Sequence, residues 1–196
     1  MVLDQQEQSE KLIEEFGRQI LVPGINEEGQ QNISKKKICI IGLGALGTVA
    51  SQYLVRAGIG EIHLIDHDII EKSNLHRQIN YDKDDVGKSK SNTSKHKLKN
   101  INDSTKIKEH SLNFESFIKE NPDNNFDLIF DCTDNHQNKI FSSKYSKANK
   151  ISFVSISINS SEAYTLHKTM KKTIHHVLSA FFLEVIRNTD VLTVQW

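Results

Sequence analysis

A glycine-rich loop, placed between an apolar run and a helical pattern, has residues whose types and spacing could bind phosphate. Gly42, Gly44 and Gly47 follow the spacing GxGxxG, and the next apolar run ends at Asp66. The first glycine permits a tight turn, the second lets the backbone approach a phosphate, and the third allows close packing of helix on strand. Free N–H groups at the start of the helix would bind the anion, and Asp66 would accept hydrogen bonds from ribose hydroxyls. The pattern predicts a nucleotide site, the alternative being a glycine turn without a ligand.

Charged residues beyond this loop bear on which nucleotide is bound. Arg77 lies in the stretch that follows Asp66, and Lys90 comes after it. Asp134 closes a later predicted strand at what should be the same carboxyl edge of the sheet. Cations neutralise phosphate oxygens, and a carboxylate can hold a magnesium ion. This set favours a triphosphate with Mg²⁺ over a dinucleotide used for hydride transfer. Taken singly, Arg77 could be a surface salt-bridge residue, Lys90 one of several helix lysines, and Asp134 a turn cap.

The elements that must position these groups alternate along the chain. Strands are predicted at residues 36–42, 61–66, 105–109, 126–134 and 151–158. Helices are predicted at residues 8–22, 27–34, 45–57, 88–100, 113–120, 136–149 and 177–187, that over 88–100 being basic and exposed. Residues 69–87 are predicted to form a loop. The alternation indicates an α/β fold of the Rossmann type, a doubly wound, mostly parallel sheet preceded by N-terminal helices. We expect one domain over residues 1–196.

Composition limits the function classes. The 196 residues are 37% hydrophobic and 26% charged, and 25 basic and 25 acidic residues give a formal net charge of zero. This balance predicts a soluble, cytoplasmic protein without a nucleic-acid or membrane partner. The N-terminus lacks the pattern of a signal peptide, and no apolar run approaches the roughly 20 residues that span a bilayer. Cys39 and Cys132 lie in apolar runs, which predicts buried thiols in a reducing compartment.

Several longer stretches have sequences typical of one enzyme family. They are FGRQI (16–20), EEGQ (27–30), GLGALG (42–47), AGIGEIHLIDHDIIEKSNLHRQ (57–78), VGKSK (86–90) and DCTDN (131–135). In this order and spacing, over about residues 8–158, the chain closely resembles the ThiF/MoeB/HesA family, which is related to ubiquitin-activating enzymes. The resemblance implies an ATP-dependent adenylyltransferase. In such enzymes the C-terminal glycine carboxylate of a small ubiquitin-like (β-grasp) sulfur carrier, ending in Gly-Gly, attacks the α-phosphate of ATP, pyrophosphate leaves, and an acyl-adenylate remains.

The same resemblance implies roles for individual residues. Arg77, Lys90 and Asp134 would be catalytic, and so would Arg18, which would act in the neighbouring subunit's site of a homodimer. Asp134 would coordinate Mg²⁺, with Asn135 beside it. The implied nucleotide-binding set is Gly42, Gly44, Ala45, Leu46, Gly47, Asp66, Asp68, Ser73, Asn74, Leu75, His76, Arg77, Gln78, Lys90, Asp134 and Asn135.

The chain departs from the family pattern after its last predicted strand. Family members usually continue there with a crossover loop that carries cysteines, often two CxxC pairs for zinc. Residues 159–176 contain no cysteine, so we expect a shortened region at 159–176 and no zinc. His167, His175 and His176 have no third partner at a useful spacing for a closed tetrahedral site. An arginine usual soon after DCTDN is also absent.

These departures leave three functions open. The favoured one is an active adenylyltransferase for a ubiquitin-like carrier. The second is a catalytically impaired family member that binds only nucleotide or partner, which the missing segment favours. The third is an NAD-binding oxidoreductase, which Arg77, Lys90 and DCTDN (131–135) disfavour.

Overall fold

A computed structural model describes the backbone of residues 5–159, 162–168 and 192–193, and the side chains of residues 10–158. The helices are α1 (Gln5–Ile20), α2 (Asn26–Ile33), α3 (Ala45–Arg56), α4 (Lys90–Lys99), α5 (Phe114–Glu120) and α6 (His136–Ala148). The strands are β1 (Lys37–Ile41), β2 (Glu61–Ile65), β3 (Lys106–His110), β4 (Leu128–Asp131), β5 (Ser152–Asn159), β6 (Glu162–Lys168) and β7 (Leu192–Thr193). None of the helices in these ranges combines the length and apolarity needed to cross a membrane.

One sheet contains all of these strands, in the order β3-β2-β1-β4-β5-β6-β7. Strands β1 to β5 are mutually parallel, β6 is antiparallel to β5, and β7 is parallel to β6. The prediction of a Rossmann-type, mostly parallel sheet with N-terminal helices is therefore confirmed. The strand order reverses between β1 and β4, and folds of this type bind ligands in the crevice at the carboxyl ends of the strands beside such a reversal.

Two apolar clusters cover the two faces of the sheet. Because side chains alternate along a strand, β1 contributes Ile38 and Ile40 to the cluster beneath α3 and α4. It contributes Cys39 and Ile41 to the cluster beneath α5 and α6. A strand buried on both faces has an unbroken apolar sequence, as KICII does. Cys39 and Cys132 are both free and buried, as predicted.

The N-terminal helices pack at the turn between α3 and β2. Gln19 Nε2 donates to Gln30 Oε1 at 2.5 Å and to the carbonyl of Ala57 at 3.1 Å. Phe16 lies against Gly58, whose φ is +80°, and a Cβ at that glycine would come within 2.6 Å of the ring. Helix α1 is thereby held beside the amino end of β2.

The structure differs from the sequence prediction in three places. Helix α4 is not an exposed helix: it buries Ser91, Ser94 and Leu98, because small hydroxyl side chains let it approach the sheet closely. The strand predicted at 126–134, which was expected to run into a polar turn, is shorter than that range and spans Leu128–Asp131. The predicted loop contains the short 3-10 helices Lys72–Asn74 and Lys83–Asp85.

Two further predictions concern the C-terminal part. Strand β6 lies within the region 159–176, for which no strand was predicted. The predicted helix at 177–187 lies outside the described residues.

Candidate active site

A cleft of about 580 Å³ opens at the carboxyl ends of β1, β2 and β4. It lies where the strand order reverses, as expected for this fold. The predicted site residues that line it are Gly42, Gly44, Asp66, Asp68, Asn74, Arg77, Gln78, Lys90, Asp134 and Asn135. The sheet thus brings together residues from four separate stretches of sequence.

The glycine loop has the geometry that its spacing predicts. Gly42 has φ of +84°, and its N–H donates to the carbonyl of Ile65 at 2.9 Å. A Cβ at Gly47 would lie 1.8 Å from Gly42 O, so only glycine lets α3 pack against the loop. A Cβ at Gly44 would meet only Gln78 Nε2, at 3.9 Å, so the space above the loop is open. Because Gly44 is the N-cap of α3, the helix begins at the cleft with N–H groups that lack helical acceptors.

Asp66 supports this loop from the end of β2. Its Oδ2 accepts the N–H of Leu43 at 2.6 Å and its Oδ1 accepts the N–H of Asp68 at 2.8 Å. Burial raises the pKa of Asp66, against the effect of these two backbone hydrogen bonds. Each carboxylate oxygen keeps a second lone pair. The predicted contact with ribose would use those lone pairs and stays a prediction.

Lys90 brings a buried cation to the cleft from the first residue of α4. Its Nζ lies 2.8 Å from Oδ2 of Asp68, an exposed residue. The hydrogen bond from Lys90 holds the pKa of Asp68 below its usual value. A lysine is rarely this buried without an anionic partner. The cation is thus in place in the cleft, and its partner is a carboxylate that a phosphate could replace.

The segment after β2 contributes further polar groups. Arg77 is exposed, and its Nη1 donates to the carbonyl of Ser73 at 2.8 Å. Asn74 Oδ1 accepts the N–H of Glu71 at 3.0 Å, which fixes the 3-10 turn. Gln78 is buried, and its Oε1 has no hydrogen-bond partner among the described residues. A buried amide oxygen without a partner indicates that a ligand or water completes this site.

Asp131, the last residue of β4, holds the turn that follows this strand. Its Oδ1 accepts from Thr133, from the backbone N–H at 3.0 Å and from the hydroxyl at 2.7 Å, and its Oδ2 accepts from Ser142 Oγ at 2.5 Å. Lys139 Nζ lies 3.7 Å from the same carboxylate. This network leaves Asp134 exposed at the rim of the cleft. Asp131 was not among the predicted site residues, although its place two residues before Thr133 is the pattern of an Asx turn.

Some predicted residues have structural roles or lie outside the cleft lining. Asn135 lines the cleft, but its Oδ1 caps α6 by accepting from the N–H groups of Gln137 and Asn138, at 2.9 and 3.2 Å. The predicted site residues that do not line the cleft are Ala45, Leu46, Gly47, Ser73, Leu75, His76 and Arg18. Arg18 lies on α1, which packs at the opposite edge of the sheet.

The described residues offer few ligands for a metal ion. In the described part of the chain, Asp66, His67 and Asp68 form the group of three potential ligands that lie close together. Asp66 already accepts two backbone N–H groups, and Asp68 pairs with Lys90. Asp134 takes part in no ion pair with the described residues. The absence of zinc stays a prediction.

Comparison with known proteins identifies similar sequences. The model of the ThiF family matches residues 16–182. A sulfur carrier protein adenylyltransferase of Thermus thermophilus is 34% identical over 95 residues, which are 48% of this chain and 35% of that protein. The adenylyltransferase and sulfurtransferase MOCS3 of Xenopus laevis is 39% identical over 87 residues, 44% of this chain and 19% of that protein. The matched part is therefore about a third or less of each relative.

Solved structures share the fold. Escherichia coli MccB superimposes with a TM-score of 0.69 and 29% identity, over 76% of this chain and 43% of that one. The E. coli tRNA N6-threonylcarbamoyladenosine dehydratase TcdA, in complex with ATP, gives a TM-score of 0.68 and 26% identity, over 79% of this chain and 61% of that one. TcdA, which shares this fold and 26% sequence identity, thus binds ATP.

Proposed function

We propose that this chain, which belongs to the ThiF family, is an ATP-dependent adenylyltransferase that activates the C-terminal glycine carboxylate of a ubiquitin-like sulfur carrier. The observation that carries the proposal is one cleft lined by Gly44 at the start of α3, two cations, Arg77 and Lys90, and the exposed carboxylate of Asp134. A dinucleotide used for hydride transfer has no need of two cations and a metal-binding carboxylate beyond the glycine loop.

In the proposed reaction a carboxylate oxygen of the carrier attacks the α-phosphorus of ATP. The bond from that phosphorus to the bridging oxygen breaks, pyrophosphate leaves, and the carrier keeps the adenylyl group. The attacking carboxylate is already ionised at neutral pH, so no general base is required. The work of the site is to bring two anions together and to compensate the charge that develops on the phosphate.

The chain's own groups suit that work. The N–H groups at the start of α3 and the cation of Lys90 approach the cleft from two sides, and Arg77 supplies a guanidinium that can bind two phosphate oxygens. On binding ATP, Lys90 would exchange the exposed carboxylate of Asp68 for a phosphate oxygen. Asp134 fits Mg²⁺ because protein sites often supply one or two carboxylates while substrate phosphates and water supply the rest. The ion would neutralise phosphate charge.

The proposed homodimer follows from the position of Arg18. Helix α1 packs against Gly58, before β2, whereas Asp66 at the end of β2 lines the cleft. The five residues of β2 separate the two edges by roughly 16 Å. Arg18 would therefore act in the cleft of a second copy. Ile13 and Leu21, on either side of Arg18 in the sequence, are 50% and 76% exposed, an apolar surface that a second copy would cover.

The product of the reaction can be detected directly. The full chain is incubated with Mg-ATP and a recombinant β-grasp protein ending in Gly-Gly, and the intact mass of that protein is recorded. We expect a gain of one adenylyl group, lost on treatment with hydroxylamine, and no gain for the same protein with its terminal carboxylate converted to an amide. Nucleotide binding without any adduct would instead support the impaired, binding-only alternative.

A further inference from the structure

The buried hydroxyl of Tyr81 lies behind the glycine loop and outside the cleft lining. Its oxygen is 3.0 Å from the carbonyl of Leu43, 3.1 Å from Ser94 Oγ and 3.4 Å from the carbonyl of Lys90. Burial raises the pKa of the Tyr81 phenol above its usual value, so it keeps its proton. A phenol has one hydrogen to donate, and the carbonyl of Leu43 is the nearest acceptor.

A chain of buried polar groups orients that hydroxyl. Gln52 Nε2 donates to Asn80 Oδ1 at 3.0 Å, and Asn80 Nδ2 donates to the hydroxyls of Ser51 and Ser94, each at 3.2 Å. A serine hydroxyl has one hydrogen and two lone pairs, so Ser94 Oγ can accept from Asn80 and donate its own hydrogen to the oxygen of Tyr81. The hydrogen of Tyr81 is then directed to Leu43. Hydrogen bonds arranged in such a chain strengthen one another.

The peptide group that Tyr81 contacts has one side in the cleft. The carbonyl of Leu43 and the N–H of Gly44 belong to the same planar trans peptide unit, so they point in opposite directions. Gly44 lines the cleft and is the N-cap of α3. Leu43 is fixed on its other side as well, because its N–H donates to Asp66 Oδ2. The hydroxyl of Tyr81 therefore holds the carbonyl side of the Leu43–Gly44 peptide, while Asp66 holds the N–H of Leu43.

We infer that Tyr81 is a positioning residue: by holding the carbonyl of Leu43 it aims the N–H of Gly44 at the phosphate groups of the bound nucleotide. The inference rests on the proposed nucleotide site. Without the hydroxyl, the carbonyl of Leu43 loses its nearest donor and the Leu43–Gly44 peptide is free to turn. The affinity for the nucleotide then falls, whereas the affinity for the nucleoside does not, because a nucleoside has no phosphate for this N–H to contact.

The test compares a charged nucleotide with its uncharged nucleoside. Dissociation constants of Mg-ATP and of adenosine are measured by calorimetry on the full chain. Tyr81→Phe should weaken ATP binding by roughly 3- to 10-fold, the net worth of one hydrogen bond, and leave adenosine binding within about 2-fold. Ser94→Ala should weaken ATP in the same direction and to a smaller extent. Tyr53→Phe makes the same chemical change on α3, at a side chain that is 48% exposed, and should change neither constant.

The results test the positioning role of Tyr81 separately from the proposed nucleotide site. Equal weakening of ATP and adenosine by Tyr81→Phe, or no weakening, would overturn the positioning role. If Tyr81→Phe does not fold, Ser94→Ala decides, and an unchanged ratio of the two dissociation constants would overturn the role. Absence of ATP binding by the wild-type chain would instead overturn the proposed function.

Discussion

Lys90 lies largely out of solvent, with its ammonium group 2.8 Å from a carboxylate oxygen of Asp68. We predict that Lys90→Ala lowers the rate of adenylate formation by about two orders of magnitude or more, as expected when a charge stabiliser is removed from a closed site. The melting temperature should change little, since the carboxylate left without a partner is exposed. Lys99→Ala, at the exposed end of the same helix, is the matched control. A wild-type rate in Lys90→Ala would remove this lysine from the reaction.

Asp134 is predicted to act through Mg²⁺. In Asp134→Asn the oxygen and the shape remain but the charge is lost, so half-maximal activity should require a higher Mg²⁺ concentration, and the rate at saturation should fall. Activity is measured across a Mg²⁺ titration, with Asp123→Asn as a control at an exposed aspartate away from the cleft lining. A Mg²⁺ dependence equal to that of the wild type would assign the ion to other groups.

Two titrating residues on β2 make stability depend on pH. His63 Nε2 lies 2.7 Å from Glu61 Oε1, and His63 Nδ1 lies 3.1 Å from His110 Nε2. Burial lowers the pKa of His63 to about 4. Burial alone would raise the pKa of Glu61, but hydrogen bonds from His63, Lys108 and Lys106 lower it to about 2.

Both shifts have the same sign for stability. The folded state binds a proton at either residue less readily than the unfolded state does, so the free energy of unfolding falls as pH decreases. His63 contributes this loss from about pH 6.5 down to about 4, and Glu61 from about 4.5 down to about 2. Urea unfolding at pH 7 and pH 4.5 should differ by on the order of 1–3 kcal/mol. His63→Phe should reduce that difference, and equal stability at both pH values would contradict the assignment.

At the residue scale, the sequence predicted the glycines and charged groups because their types and spacing follow from phosphate chemistry. Gly42, Gly44 and Lys90 all line the cleft. Tyr81 could not be predicted from the sequence, because its contact with Leu43 joins residues 38 positions apart in the chain. The role of Asp131 in holding the turn after β4 was missed for a similar reason. Ser142 and Lys139 contact its carboxylate only once α6 packs on β4.

At the element scale, the parallel strands and the bounds of α4 were predicted well, whereas the burial of α4 was not. Apolar runs identify buried strands directly, but the buried face of α4 consists largely of serine and threonine between lysines, which have no apolar period. The short 3-10 helices after β2 were also missed, because they are set by side-chain caps such as Asp82, which accepts the N–H of Asp84 at 3.1 Å. The polar segment between β2 and α4 is therefore more ordered than its composition predicts.

The element-scale prediction concerns α1 in the proposed homodimer. Arg18→Ala and Lys90→Ala should each be inactive, and mixing them should restore up to about a quarter of wild-type activity, because half of the random dimers hold one intact site. Lys11→Ala removes another exposed cation of α1 and should stay active. The mixture is assayed after subunit exchange has been verified. No recovery, or a monomer in sedimentation at micromolar concentration, would place Arg18 outside the active site.

At the scale of the whole molecule, the fold places the cleft at the carboxyl ends of the strands and helix α1, which carries Arg18, beside the amino end of β2. The reversal of strand order creates the cleft, and the packing of Phe16 on Gly58 holds α1 away from it. In the proposed homodimer, Arg18 of one copy would complete the cleft of the other. The molecule has no net formal charge, with 25 basic and 25 acidic residues, so recognition of the proposed carrier would depend on local surfaces.

Exchange of labelled pyrophosphate into ATP tests the central claim most directly. The reversal of adenylate formation returns the label to ATP, so the exchange needs the chain, Mg-ATP and a carrier with a free C-terminal glycine carboxylate. We predict labelled ATP with a β-grasp carrier ending in Gly-Gly, and none when its terminal carboxylate is converted to an amide. No labelled ATP with the free carboxylate, or equal labelling with the amide, would contradict the assignment of this chain as a carrier-activating adenylyltransferase.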